Sequence, residues 1–229
     1  MKQKHIHISG FRSAFAMLLS MVLLAVAPAV SAEEAVNMTF DNLVPVEDPK
    51  VAMAFIDPDA DFSVFKRVAI LDTMVAFRSN WQRDQNRSRT RNISARDMER
   101  IKEDVATLFE RILTERLEAA GYPVVDVAGN DVLILRPAII DLDVTAPDTM
   151  TPGRSRTYAA STGAATLYMQ LFDAATGDII GRAADRKGVR RGGGSVNWSS
   201  SRVSNIADAR RIMGGWADTL VAFLKSHYE

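Results

Sequence analysis

Apolar and polar residues alternate through the middle of the chain with the period of a β-strand. From Ala165 to Leu171 every second residue is apolar and most residues between them are polar, which is typical of a strand with one dry face. Residues 173–177 have the composition of a hairpin turn, with Gly177 at the left-handed position. Stretches rich in β-branched and apolar residues predict four further strands, over 66–77, 123–127, 132–144 and 179–187. Pro137 cannot donate to a ladder, so its strand is expected to lie at an edge or to be bulged there.

Two other segments repeat apolar residues at every third or fourth position, which predicts amphipathic helices. The first begins at Ser94 with the spacing of a capping box and stops at Gly121. The second is predicted over 205–224, with its cap at Asn205. Two adjacent glycines, Gly214-Gly215, are expected to interrupt this helix, because together they cost about 2 kcal/mol relative to alanine.

These elements follow one another as strand, helix, four strands and helix. The order predicts an α+β two-layer sandwich, in which a roughly five-stranded, mostly antiparallel sheet carries two long helices on one face. Prolines interrupt residues 33–61, so we expect an extended N-terminal arm there. Residues 62–229 are then expected to form a single α+β domain.

The first 32 residues have the pattern of a cleaved signal peptide. A positive start precedes an apolar core of 14 residues, Ala14 to Ala27, which is too short for a transmembrane helix of about 20 residues. Small residues at Val30 and Ala32 predict cleavage after Ala32. We therefore expect an exported, periplasmic protein that is soluble after cleavage and is not an integral membrane protein.

Charge and cysteine content narrow the possible partners. The 229 residues include 28 basic and 28 acidic side chains, and residues 33–229 keep 25 basic and 28 acidic ones, a net charge of −3. Neither this charge nor an exported destination favours nucleic acid as a partner. The chain contains no cysteine, so the fold has no disulfide and the mature N-terminus has no cysteine to carry lipid.

Catalytic motifs are lacking in the sequence. His227 is the only histidine after residue 32, which excludes a Ser-His-Asp triad and a histidine-rich metal site from the domain. No catalytic residue, metal or cofactor is predicted. Asp57 opens a segment that resembles a calcium loop, but Phe62 stands where the loop needs glycine, so we interpret the segment as a local turn.

One enzyme hypothesis stays open. Asp141 and Asp143 are two apart on a predicted strand and would share a face, with Asp148 in the following loop. Such a carboxylate pair is the machinery of a glycosidase acting on cell-wall glycan. The alternative interpretation is that these residues solubilise the strand end and form a turn.

Basic residues collect in three segments between the predicted elements. Residues 78–93 contain five arginines with Trp81. Residues 186–207 contain five basic residues, the run Gly192-Gly193-Gly194 and Trp198, without an acid. If consecutive strands are antiparallel, the second segment meets the loop 145–161, and 78–93 lies at the opposite end of the sheet. The candidate binding residues are Arg186, Arg190, Arg191, Trp198, Arg154, Arg156 and Tyr158.

This pattern predicts a non-catalytic binding or scaffold module. Its partner would be an anionic envelope component, such as lipopolysaccharide or a glycan, or an acidic surface of another envelope protein. Two plainer interpretations also fit the sequence. The basic segments are ordinary polar loops whose tryptophans pack back onto the domain, or partners bind along an exposed sheet edge.

Several of these segments resemble a known family. The opening Phe40 to Pro45, the strand start Phe65 to Val68, the stretch Leu133 to Asp141 and the late Trp216 to Asp218 resemble the bacterial envelope family catalogued as domain of unknown function 3313, over most of residues 40–227. The resemblance implies an exported location and an α+β fold, but no catalytic residue. Many members are lipoproteins, and lipid anchoring does not carry over to a chain without cysteine.

Overall fold

A computed structural model describes residues 42–87, 92–144, 161–190 and 202–227. The predicted signal peptide and its cleavage site lie outside these residues. The described chain forms the strands β1 (Val44–Pro45), β2 (Met53–Ile56), β3 (Arg67–Ile70), β4 (Met74–Phe77), β5 (Val132–Val144), β6 (Ser161–Asp173) and β7 (Ile179–Arg190). The helices are α1 (Trp81–Asn86), α2 (Ala95–Ala119) and α3 (Arg202–Ser226), and a 3-10 turn spans Phe62–Val64.

The seven strands form one sheet in the order β1-β2-β7-β6-β5-β3, with β4 also paired to β5. Strands β1, β2, β7, β6 and β5 pair antiparallel in that order, whereas β3 and β4 pair parallel to β5. The prediction of a mixed α+β fold with a mostly antiparallel sheet is confirmed. The predicted count of five strands is wrong, and α1 is an additional helix, so the proposed two-layer sandwich agrees with the structure only in part.

Three local features explain the different strand count. The N-terminal arm supplies β1 and β2, and β2 pairs with β7 over Met53 to Ile56. The predicted strand 66–77 is divided, because the backbone N–H of Thr73 turns to donate to the Glu110 carboxylate at 2.8 Å. The predicted strand 123–127 is reduced to a single bridge between Val124 and Val68.

Pro137 lies in the interior of the sheet, so the expectation of an edge or a bulge at this residue is wrong. On one side it pairs with Met169 in regular register. On the other side it faces the break in the neighbouring strand, since β3 ends opposite Leu135 and β4 begins opposite Ala138. A residue without an N–H is tolerated here because no described strand faces it on that side.

The two long helices, each of 25 residues, pack on the same face of the sheet. The predicted capping box of α2 is confirmed, since Ser94 accepts from the N–H of Asp97 and the Asp97 carboxylate accepts from that of Ser94. The expected interruption of α3 at Gly214-Gly215 is wrong, because the helix is continuous. A Cβ on Gly215 would lie 3.5 Å from Lys187 Nζ, which is ordinary contact with a side chain.

The core lies between these helices and the central strands. Its members are buried apolar side chains, which contribute roughly 1.5–3 kcal/mol each when fully buried. The rings of Phe109 on α2 and Trp216 on α3 meet edge to face at 6.3 Å. From the sheet, alternate residues of β5 and β6 face them: Leu133, Leu135, Ile139, Leu167, Met169 and Leu171.

Residues between these core positions lie on the opposite face of the sheet. Cross-strand partners share a face, so Ile140, Thr166 and Arg186 form one row there. Met53 and Met74 flank the neighbouring row and are 53% and 62% exposed. No described helix covers this face.

Candidate functional site

Parallel pairing gathers several chain segments at one end of the sheet. Strand β4 runs parallel to β5, so the segment that follows β4 emerges beside the end of β5. Ser161 at the start of β6 pairs with Arg190 at the end of β7, at this same end. We call this the basic end of the sheet. The expectation that residues 78–93 lie at the opposite end is therefore wrong. It assumed that consecutive strands are antiparallel, whereas β4 and β5 are parallel.

Two groups of ion pairs lie at the basic end, one at Arg186 and one at Arg78. Arg186 Nη1 lies 3.9 Å from Asp141 Oδ2, and Asp143 Oδ1 lies 2.9 Å from Arg78 Nε. Arg78 Nη1 donates to Asp84 Oδ2 at 2.8 Å. This hydrogen bond lowers the pKa of the Asp84 carboxyl. The hydrogen bonds that Arg78 donates to Asp84 and to Asp143 raise the pKa of Arg78.

Two further arginines in the group at Arg78 are more exposed than Arg78 itself. Arg83 and Arg87 share Asp84, at 3.4 and 4.0 Å, and their side chains are 59% and 71% exposed. Surface pairs of this geometry contribute at most about 1 kcal/mol. These guanidinium groups are therefore available to an anionic partner at little cost.

Only one of the seven predicted binding residues has a described side chain. Arg186 is exposed on the face away from the helices and donates to Thr166 Oγ1 at 3.1 Å. Arg190 ends β7, and its backbone alone is described. The other five lie outside the described residues: Arg191, Trp198, Arg154, Arg156 and Tyr158.

Lys187 does not belong to this surface, although it is adjacent to Arg186 in sequence. Strand alternation turns it to the helix face, where Nζ lies 3.4 Å from Asp185 Oδ2 and 5.9 Å from the centre of the Trp216 ring. Within the basic segment 186–207, Lys187 therefore packs against α3.

Trp81 belongs to the interior of the protein. It is 1% exposed and stacks on Phe77 with ring centroids 4.0 Å apart. Its Nε1 donates to the backbone oxygen of Val144 at 2.8 Å. For this tryptophan, the interpretation that it packs back onto the domain is the correct one. Its hydrogen bond also fixes α1 to the last residue of β5.

The carboxylate pair sits at a β-bulge. Asp141 has φ of 52°, and the register between β5 and β6 shifts between Ile140 and Asp143. The extra residue breaks the simple alternation that would place the two aspartates on one face. Each carboxylate lies beside a different arginine, Asp141 beside Arg186 and Asp143 beside Arg78.

The acidic turn at Asp57 is built from local hydrogen bonds. Asp57 Oδ1 accepts from the N–H of Asp59 at 2.9 Å, and Asp61 accepts from the N–H of Ser63 at the same distance. These are the hydrogen bonds of Asx turns. Across the described ranges, no group of three or more histidine, aspartate or glutamate side chains is placed to hold a metal ion.

Sequence reasoning did not include Arg83 and Arg87 in the binding surface. It identified their segment as basic but placed it at the wrong end. A usable signal was present, because a strand, a helix and a second strand in succession favour a parallel crossover. That pairing brings the segment after β4 to the end of β5.

The family model described as "Protein of unknown function (DUF3313)" matches residues 33–220. This range includes every strand of the sheet and most of α3. The chain belongs to this family. The family resemblance predicted from the sequence is confirmed, and the DUF3313 description assigns no activity. The comparison with curated proteins gave no match.

Several solved structures match this DUF3313 chain at low sequence identity. The PelC dodecamer from Paraburkholderia phytofirmans has 12% identity and a TM-score of 0.38, covering 70% of this chain and 91% of that one. A DUF4136 family protein from Bacteroides thetaiotaomicron has 15% identity and a TM-score of 0.35, covering 79% and 98%. A minor lipoprotein from Acinetobacter baumannii has 14% identity and a TM-score of 0.34, covering 71% and 94%. At these TM-scores the family match alone supports the assignment.

The helices differ from membrane-spanning helices in their polarity. Among the residues that the structure describes, no helix combines the length and the apolar character needed to cross a bilayer. Even the 25-residue α2 carries charged side chains along most of its length.

Proposed function

We propose that the protein is a non-catalytic, exported envelope module that binds an anionic partner at the basic end of the sheet. The partner is an anionic envelope component, such as lipopolysaccharide or a glycan, or an acidic surface of another envelope protein. The observation that supports the proposal is the parallel pairing of β4 and β5, which brings Arg83 and Arg87 to the end that carries Arg186.

The charge of the segments that leave this end supports an anionic partner. Residues 88–91, 145–160 and 191–201 follow or precede described residues at the basic end. In sequence they carry five arginines and one aspartate. Guanidinium groups bind phosphate and carboxylate through paired hydrogen bonds, so an excess of arginine favours partners that present these groups.

Helix direction adds to the positive potential. Both α2 and α3 follow strands that finish at the basic end, so both begin there. The N-terminus of a helix carries about half a positive charge from its aligned peptide dipoles. The Asp97 carboxylate offsets this charge at α2, whereas the first turn of α3 contains no acid and reinforces the arginines.

The sequence that precedes the domain supports export of the protein. Residues 1–32 have the charge and apolar pattern of a signal peptide. The partner is then a component of the envelope, and no part of the proposal requires a cofactor, a metal or nucleic acid.

Photo-crosslinking in living cells tests the proposal. A photoreactive residue replaces Arg186 or Trp198, and the matched control replaces Ala175, which is exposed in the hairpin at the opposite end of the sheet. We expect a specific adduct from the basic end and none from the hairpin. Adducts of equal yield from both ends, or from neither, contradict the proposal.

Charge reversal provides an independent test. In the variant Arg190→Glu/Arg191→Glu we expect weaker partner capture with a melting temperature close to that of the wild type. Lys225→Glu is the control, since it reverses one exposed charge in the last turn of α3, away from the basic end. Unchanged capture by the double variant would rule out these two arginines as the binding residues.

A further inference from the structure

A second arginine-rich site lies between the two long helices, outside the basic end. Helices α2 and α3 border a groove of about 460 Å³. Its lining residues are Arg111, Ile112, Glu115 and Arg116 from α2, with Arg210 and Gly214 from α3. The volume falls within the range of small-molecule sites, roughly 300–1,000 Å³.

The groove exists because α3 has no side chain at Gly214. A Cβ at this position would meet only one atom within 4 Å, Arg116 Nη2 at 3.9 Å. Gly214 itself is buried, and Ile112 beside it is 9% exposed. These two residues form the floor of the groove. Arg111 and Arg116 of α2 border it on one side, and Arg210 of α3 borders it on the other. The groove thus accounts for a glycine that otherwise weakens the helix.

The three guanidinium groups are weakly engaged. Arg111 Nε lies 4.0 Å from Glu115, and Arg116 Nε lies 3.3 Å from Asp218. All four of these side chains are more than half exposed, and exposed pairs contribute at most about 1 kcal/mol. Arg210 makes no ion pair with any residue that the structure describes. A ligand can therefore recruit these groups without breaking a strong interaction.

The charge of the lining selects the ligand class. Three arginines and one glutamate line the groove, and Asp218 beside Arg116 reduces the local excess to one positive charge. A phosphate monoester carries about −1.5 to −2 at neutral pH and presents three acceptor oxygens, which match guanidinium donors from two helices.

We propose that the groove between α2 and α3 binds a phosphate monoester, with Arg111, Arg116 and Arg210 on the phosphate group. The ligand source is either a free phosphate monoester or the phosphorylated headgroup of a lipid. This site is separate from the basic end and does not depend on the function proposed there.

Calorimetric titration of the full chain after signal cleavage tests the site. The probes are glucose 6-phosphate, inorganic phosphate and uncharged glucose. We expect saturable binding of glucose 6-phosphate, weaker binding of phosphate and none of glucose. Arg210→Ala is expected to weaken binding tenfold or more, because it removes a charged hydrogen-bond donor. Arg96→Ala, which removes an exposed arginine near the start of α2, is expected to leave binding unchanged.

A second variant tests the groove without changing any charged residue. Gly214→Leu places a side chain on the groove floor while replacing a poor helix former with a good one. We expect it to fold and to lose glucose 6-phosphate binding. Phosphatidylcholine vesicles with and without phosphatidic acid identify the source, since retention on the acidic vesicles alone indicates a lipid headgroup. Absence of glucose 6-phosphate binding, or wild-type affinity in both groove variants, overturns the proposal.

The basic end is tested in the same titration. Arg190→Glu/Arg191→Glu is expected to bind glucose 6-phosphate as the wild type does. If this variant loses the ligand and Arg210→Ala keeps it, the phosphate site belongs to the basic end and the groove proposal is wrong.

Discussion

Asp185 on β7 accepts a hydrogen bond from the indole Nε1 of Trp216 on α3 at 2.8 Å, and both side chains are buried. Its other carboxylate oxygen accepts from the backbone N–H of Ala52 at 3.1 Å. Lys187 Nζ lies 3.4 Å from the oxygen that Trp216 contacts. One carboxylate therefore joins the N-terminal arm, the sheet and the helix layer.

Replacing this carboxylate is expected to destabilise the whole fold. Asp185→Ala leaves the N–H groups of Trp216 and Ala52 without an acceptor, at an expected cost of about 2–4 kcal/mol in the free energy of unfolding. Urea denaturation followed by far-ultraviolet circular dichroism measures this cost. Asp104→Ala, an exposed substitution on α2, is expected to change stability by less than about 0.5 kcal/mol. Equal stability of the two variants would contradict the role of Asp185.

Trp81 is expected to act as a core residue despite its basic neighbours. Trp81→Ala removes the ring that stacks on Phe77 and is expected to cost about 3–5 kcal/mol. Trp81→Phe keeps an aromatic ring and is expected to cost less. Arg83→Ala on the same helix is the exposed control, and chemical denaturation compares the three. A loss below about 1 kcal/mol for Trp81→Ala would show that α1 does not hold the end of β5.

Two glycines are expected to respond in opposite directions to alanine. Gly214→Ala adds a Cβ with only ordinary contact inside a helix, so stability should rise by about 1 kcal/mol. Gly181→Ala places a Cβ 2.9 Å from Leu171 Cδ1 in the core, and overpacking should cost about 1–3 kcal/mol. Melting temperatures of the two variants check the signs. A rise for Gly181→Ala would mean that the core relaxes around the added methyl group.

The Arg67–Asp131 pair is expected to make stability depend on pH. Arg67 Nε donates to Asp131 Oδ2 at 2.8 Å, and this side-chain hydrogen bond lowers the pKa of Asp131. A carboxyl with a lowered pKa stabilises the fold above its ordinary pKa of about 3.9, and the contribution is lost as the pH falls through the lowered value.

Arg67→Met isolates this effect, because methionine keeps an apolar stem without the donor. We expect the urea midpoint of the wild type to exceed that of the variant near neutral pH. The difference should shrink as the pH falls below about 4. A difference that is constant over this pH range would exclude the pair as its source.

Local sequence signals predicted local structure well. The capping box at Ser94 and the left-handed Gly177, whose φ is 80°, were both identified from residues within a few positions of one another. The alternation in β6 predicted its buried face, since Leu167 and Met169 lie in the core. Each of these features depends on neighbours in sequence, which a pattern records directly.

Pairing between distant segments was not predictable in the same way. The break after Ile70 depends on Glu110 of a helix, and the tolerance of Pro137 depends on that break. The placement of Arg83 and Arg87 depends in turn on β4 being parallel to β5. The groove at Gly214 requires the register of two helices, which the periodicity of either one does not contain.

The pairing of β2 with β7 bears on how the chain reaches its folded state. Ala52 and Asp185, which hold the arm in place, are 133 positions apart in sequence. Contacts at such separation slow folding, because a long segment must lose its freedom before they form. During synthesis the arm emerges early and has no partner until β7 exists. We expect the last step of folding to be the docking of this first segment onto a sheet that is otherwise complete.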